Sequence, residues 1–194
     1  MIQSEKQRLR ERMRKLSLEK PPGNTLPLLD ALCGLDHWNR SSSILLYAPI
    51  LSEPDPTSLL TESGGRSFLF PRMAGNHLEI YRMTSGSLWT SGPFGIREPD
   101  PETWEPSSAE EVDLAVVPGM AFDLGGGRLG RGKGFYDRLL GDPQFRGVKI
   151  GLAWEWQIID KVPRDDHDVP MDLLLTGGKL HDPGSMLDKP QKRG

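Results

Sequence analysis

The sequence predicts an α/β domain with a mostly parallel central sheet, and three observations carry that prediction. Short apolar runs such as Val112 to Val117 recur along the chain, and runs of this kind mark strands buried on both faces. Helical or loop segments separate them, the alternation expected of a parallel sheet. A basic, glycine-rich run, Gly125 to Gly134, comes after the end of one such strand, where open α/β sheets gather their ligands.

Taken in order, residues 4–16 read as a helix. Ile2, Leu9, Met13 and Leu16 fall on one stripe, and Ser4 with Gln7 fits a capping box. Pro21-Pro22-Gly23 ends it. A second short helix is expected over 26–35. Residues 43–47 form a compact apolar strand, stopped by Pro49 and the Pro-rich turn Glu53-Pro54-Asp55-Pro56. Further strands are expected at 66–70, at 78–82 with alternating character, and at 112–117. Phe135 to Leu140 begins a helix, and two more strands lie at 148–153 and 172–176. From Gly177 the chain is polar and rich in Pro and Gly, which predicts a flexible tail over 177–194 beyond a single catalytic domain over 1–176.

Composition narrows the class. A chain of 194 residues is long enough for one domain with a sizeable core. Its net charge of −3 argues against a generic nucleic-acid binder. The single cysteine, Cys33, excludes an internal disulfide and a cysteine-cluster metal site. The charged N-terminus has no apolar core of the secretory type, and no segment approaches the roughly 18 apolar residues of a membrane span. The expectation is a cytoplasmic monomer acting on small molecules, with no nucleic-acid or membrane partner.

The run from Gly125 to Gly134 packs six glycines, Arg128, Arg131 and Lys133 into ten residues. Glycine N–H groups can approach an anion without a Cβ in the way, and the cations supply charge. A phosphate cradle is the economical reading, with ATP the first ligand to test. Gly127-x4-Gly132-Lys133 has P-loop spacing, but Gly134 stands where Ser or Thr should hold Mg²⁺. Gly125-x-Gly127-x-x-Gly130 satisfies the dinucleotide pattern, yet the preceding strand does not run directly into it. A plain surface loop is the remaining alternative, although a linker has no need of three interleaved cations. Without the P-loop hydroxyl, a metal on ATP needs carboxylates. Asp137 is adjacent, and Asp168 in the acidic run 165–168 is the best distant candidate.

At these residues the chain resembles the 5-formyltetrahydrofolate cyclo-ligase (methenyltetrahydrofolate synthetase) family. The resemblance covers nearly the whole sequence. It includes Lys6-Gln7-Arg8-Leu9-Arg10, Glu53, Phe94-Gly95-Ile96-Arg97-Glu98-Pro99, and Pro118-Gly119-Met120-Ala121-Phe122-Asp123. It continues through Arg128-Leu129-Gly130-Arg131-Gly132-Lys133-Gly134-Phe135-Tyr136-Asp137-Arg138 and from Val162-Pro163 to Asp168. It implies an α/β/α layered fold and closure of 5-formyltetrahydrofolate to 5,10-methenyltetrahydrofolate, with ATP becoming ADP and phosphate and Mg²⁺ as cofactor.

The family's pattern places Lys6, Arg10 and the loop Arg128, Leu129, Gly130, Arg131, Gly132, Lys133, Gly134, Phe135 and Tyr136 on the nucleotide. Glu53, Phe94 and the stretch Arg131, Gly132, Lys133, Gly134 and Phe135 fall beside the folate. Asp137 and Asp168 match the metal-binding acids, and Lys133 and Arg128 are the expected catalytic cations. Phe135 stands where many members have Tyr, Arg131-Gly132-Lys133 replaces a common Tyr-Gly-Gly, and Pro56 a frequent Thr. Lys6 and Arg10 are four apart, so both can leave one edge of a docked helix. A small-molecule kinase, an NAD-linked oxidoreductase and a non-catalytic nucleotide- or folate-binding module are the competing readings.

Overall fold

The computed structural model describes residues 2–20, 23–50, 52–61 and 64–187. The first half of the chain runs through α1 (Ile2–Glu19), α2 (Leu26–Cys33), α3 (Asp36–Arg40), β1 (Ser43–Leu45), β2 (Ser67–Ala74), β3 (His77–Arg82), β4 (Trp89–Ser91) and β5 (Arg97–Pro99). The second half runs through β6 (Glu105–Ser107), β7 (Leu114–Val117), β8 (Ala121–Phe122), β9 (Arg128–Leu129), α4 (Phe135–Leu140), β10 (Val148–Ala153), β11 (Leu173–Thr176), β12 (Lys179–His181) and α5 (Pro183–Leu187).

The main sheet has the order β12-β11-β10-β7-β1-β2-β3-β6. Its five central strands, β11 to β2 in that order, all pair in parallel. Antiparallel strands close both edges, β12 on β11 and β3 with β6 beyond β2. The predicted α/β class with a mostly parallel sheet is therefore the one observed. Alternation of side chains sorts the apolar runs onto two faces. Ile44, Leu114, Val116, Ile150, Leu152 and Leu175 pack with α2 and α3. Leu45, Ala115, Val117, Ala153 and Leu174 pack with Leu139 and Leu140 of α4. Helices thus cover both faces, which is why these strands read as unbroken hydrophobic runs. Cys33 ends α2 and packs half-buried against the first of these clusters.

Three expectations need correcting. Helix α1 starts at Ile2, so Ser4 lies inside its first turn and does not cap it. Ile2 itself is exposed, whereas Lys6 is buried alongside Met13. The docked face is Lys6, Leu9, Arg10, Met13 and Leu16, and Lys6 can join it because two aspartates meet its ammonium there. Second, the chain past Gly177 is not all tail. It reverses through Gly177 and Gly178, both at positive φ, and β12 pairs with β11. Residues 188–194 lie outside the described residues. Third, β2 continues through Pro71 to Ala74. Beyond Leu69 its only strand partner among the described residues is β3, and a proline, which has no ladder donor, is tolerated at such an edge.

Candidate active site

The central strands β1, β2 and β7 aim their C-terminal ends at one region, and the segments leaving those ends build the site. After β1, the Tyr47 hydroxyl donates to the Pro54 carbonyl at 2.6 Å and pins the Pro-rich turn. The turn folds back so that the Ile50 N–H donates to the Glu53 carboxylate at 3.2 Å. After β7, Pro118 and Gly119 lead into the β8–β9 hairpin, whose tip is Gly125 to Gly127. Gly126 sits at φ 82°, and a Cβ there would meet the Met171 carbonyl oxygen at 2.7 Å. Only glycine suits that tip.

Two cavities flank the loop that leaves β9. One, of about 180 Å³, is largely apolar and includes Tyr47, Glu53, Met73, Glu98, Phe135 and Tyr136 in its wall. The other, of about 660 Å³, is polar and includes Lys6, Arg10, Asp165 and Asp168. Arg128, Gly130, Gly134 and Asp137 line both. The glycine loop is a partition between two chambers.

Each predicted residue but Phe94 has a definite place. Arg128 is buried; its Nη2 donates to Asp137 at 2.9 Å, and its guanidinium lies 5.5 Å from the Tyr136 ring centroid. Its Nε is buried with no hydrogen-bond partner among the described residues. An orphaned guanidinium N–H on this partition suits an anionic ligand atom. Lys6 donates to Asp165 at 2.9 Å and also to Asp168. Burial works against its ammonium, but the bonds to Asp168 and Asp165 outweigh that and raise its pKa. The bond from Lys6 holds the Asp165 carboxyl below its usual range.

Arg10 Nε donates to the Gly130 carbonyl at 2.9 Å and so braces the loop from α1. Leu129 is buried in the small cluster with Met13, and with Gly132 it borders the polar cavity. Arg131, Lys133, Phe135 and Tyr136 border the apolar one. Burial pushes the Tyr136 phenol well above its ordinary range. Asp137 and Asp168 border the same polar cavity, and the N–H of Val169, next to Asp168, donates to Asp137 at 3.4 Å. Phe94 falls in the short 3-10 turn Pro93–Gly95, and its side chain lies outside the described residues.

The aspartates speak to the metal. Among the described residues, no group of three or more His, Cys, Asp and Glu side chains forms a metal cage. Two carboxylates on one cavity, each paired with a cation, fit Mg²⁺ held mainly by nucleotide phosphates and water. Helix α4 has only six residues, so its dipole adds little, and side chains carry the positive charge.

Sequence reasoning passed over three groups. Asp165 shares Lys6 with Asp168, though the acidic run contained it. Glu98 is buried in the apolar wall, where its Oε1 accepts the Met73 N–H at 3.2 Å and burial raises its pKa. Asp123 is buried under the hairpin. Neither the P-loop nor the dinucleotide spacing forms its motif here. Gly125 to Gly130 spans a hairpin turn and strand β9, and the P-loop spacing starts at Gly127 inside that hairpin, so that β9 lies within it and does not precede it.

An open α/β sheet with two cavities beyond its strand ends, divided by a basic glycine loop, suits an enzyme that acts on small molecules. The chain belongs to the 5-formyltetrahydrofolate cyclo-ligase family, whose pattern matches residues 2–177. It is 34% identical over 155 residues to the 5-formyltetrahydrofolate cyclo-ligase of Mycolicibacterium smegmatis, covering 75% of this chain and 77% of that one. It is 28% identical over 180 residues to the mouse (Mus musculus) protein of the same name, covering 86% and 89%. Its fold superposes on the NMR structure of Aquifex aeolicus 5,10-methenyltetrahydrofolate synthetase with a TM-score of 0.81 at 32% identity, over 97% of this chain and 96% of that one.

Proposed function

We propose that this protein closes 5-formyltetrahydrofolate to 5,10-methenyltetrahydrofolate, consuming ATP and releasing ADP and phosphate. The supporting observation is the partition: Arg128, Gly130, Gly134 and Asp137 face both the polar and the apolar cavity. A nucleotide in the first and a reduced pterin in the second would meet across it.

The formyl oxygen is a poor leaving group. Transfer of the γ-phosphoryl group onto it, with ADP leaving, makes it a good one. N10 then attacks the activated carbon, the C–O bond breaks, and phosphate and the N10 proton depart. Phosphoryl transfer asks the protein for positioning and charge neutralisation more than covalent help. Lys6 and Arg10 would hold phosphates from α1, and Arg128 and Lys133 would neutralise charge on the transferring group. Glu53 would accept pterin N–H donors, and Arg131 and Phe135 would border the folate. Asp137 and Asp168 would hold Mg²⁺, which supplies further charge neutralisation when bound.

The test is direct. Purified protein, Mg-ATP and 5-formyltetrahydrofolate should yield methenyl product, monitored by its near-ultraviolet absorbance, with one ADP per product. ADP formation without that product, or reduction of a nicotinamide, would overturn the assignment.

A further inference from the structure

Asp123 has no role in the proposed chemistry and borders neither cavity, yet it is buried to 3% exposure. Its two carboxylate oxygens are divided between two pieces of chain. Oδ1 accepts the N–H groups of Gly125 and Gly127, both at 2.9 Å. Oδ2 accepts the N–H of Val162 at 2.8 Å. The first two donors belong to the hairpin tip, one residue before Arg128. The third opens the segment that carries Asp165 and Asp168.

Further bonds run between the same two pieces. The Ile159 N–H donates to the Phe122 carbonyl at 2.9 Å, and the Met171 N–H to the Gly126 carbonyl at 2.9 Å. Asp123 is the member whose loss leaves three backbone donors without their acceptor. A buried donor stripped of its acceptor costs more than the bond itself contributes. No ion pair to Asp123 exists among the described residues, so N–H groups alone hold its charge.

We propose that Asp123 is a positioning residue of the nucleotide cavity. It sets the spacing between Arg128 with Asp137 on one wall and Lys6 with Asp165 and Asp168 on the other. Loss of this tie frees the Asp165–Asp168 segment from the partition, so it disturbs the polar cavity far more than the apolar one, whose Glu53, Met73 and Glu98 wall is carried by other elements. This rests on the reading that the polar cavity holds ATP.

Asp123→Asn is the test, because an Asn can keep its oxygen on the two glycines while its NH₂ confronts the Val162 N–H. Gly127→Ala is the second variant. Its Cβ would fall 2.3 Å from the Asp123 carboxylate and push it off the hairpin without changing charge. Calorimetry of Mg-ATP in the absence of folate should show a Kd raised about tenfold or more in both variants. The KM for 5-formyltetrahydrofolate at saturating ATP should stay within about threefold. Should Asp123→Asn fail to fold, Gly127→Ala decides alone. An ATP Kd within about twofold of the parent overturns the proposal. So does a parallel loss of folate affinity and Tm, which would mark a general packing role. If the parent protein binds ATP but forms no methenyl product, the proposed reaction fails while the Asp123 measurement still stands.

Discussion

Arg131, half exposed on the glycine loop, holds the buried carboxylate of Glu53 with Nη2 3.0 Å from Oε1. The partition and the Pro-rich turn are thereby tied together across the apolar cavity. Burial raises the Glu53 pKa, and the Arg131 charge opposes that rise. A pterin entering this cavity would find an acceptor that is already oriented.

Glu53→Gln should therefore separate function from stability. Turning one acceptor oxygen into a donor should weaken folate use by about 1.5–3 kcal/mol, seen as a higher KM, with ATP affinity nearly intact. The stability effect has the opposite sign. A folded pKa above the unfolded value of 4.5 means the folded state keeps its proton longer. The Glu53 contribution to stability therefore falls as pH rises through that window. The variant's Tm relative to the parent should climb from pH 4.5 upward. A relative Tm that instead falls with pH would show the Arg131 pair to outweigh burial.

Lys133→Ala should cut turnover by powers of ten with little change in Tm. Lys133 is exposed and borders the apolar cavity at the partition, so folding gains little from it, while a contact made in the transition state acts on kcat. Parent-like kcat would remove it from the mechanism.

Lys6→Met should lose ATP affinity and lower Tm by a few degrees, because Asp165 and Asp168 then face each other without their shared cation. The Asp165 pKa is held below 3.8 in the parent, so its contribution is present above that value and lost as pH falls through the folded pKa. The gap in Tm between parent and variant should narrow toward acid. A gap independent of pH would assign the loss to packing of the lysine stem.

Asp137→Asn and Asp168→Asn should each raise the Mg²⁺ concentration needed for half-maximal ATP binding by about tenfold or more. Calorimetric titration of Mg²⁺ into protein with ATP reads this without turnover. Parent-like titrations in both would mean phosphates and water hold the metal alone.

Much of this was written in the chain. Strand β10 falls on the residues where its apolar run predicts it, and α4 begins at Phe135, where the glycine loop gives way to apolar residues. Strands β4, β5, β6, β8, β9 and β12 have two or three residues each, too few for any alternation to declare itself. The glycine loop was legible because its composition is extreme. Its partners were not. That Lys6 sits between Asp165 and Asp168 is a contact across 159 and 162 residues, and local spacing cannot encode it. The same holds for the Arg131–Glu53 tie.

A wall with a chamber on either side has a further consequence for how this protein can vary. Any change at Arg128, Gly130, Gly134 or Asp137 touches both chambers at once, so drift there is doubly penalised. Lys6 and Arg10 face only one side, and Glu53 and Glu98 only the other. Adaptation to scarcer nucleotide or to a different folate should therefore accumulate on α1, on the Glu53 turn and at the one-sided loop positions, leaving these four residues almost unedited.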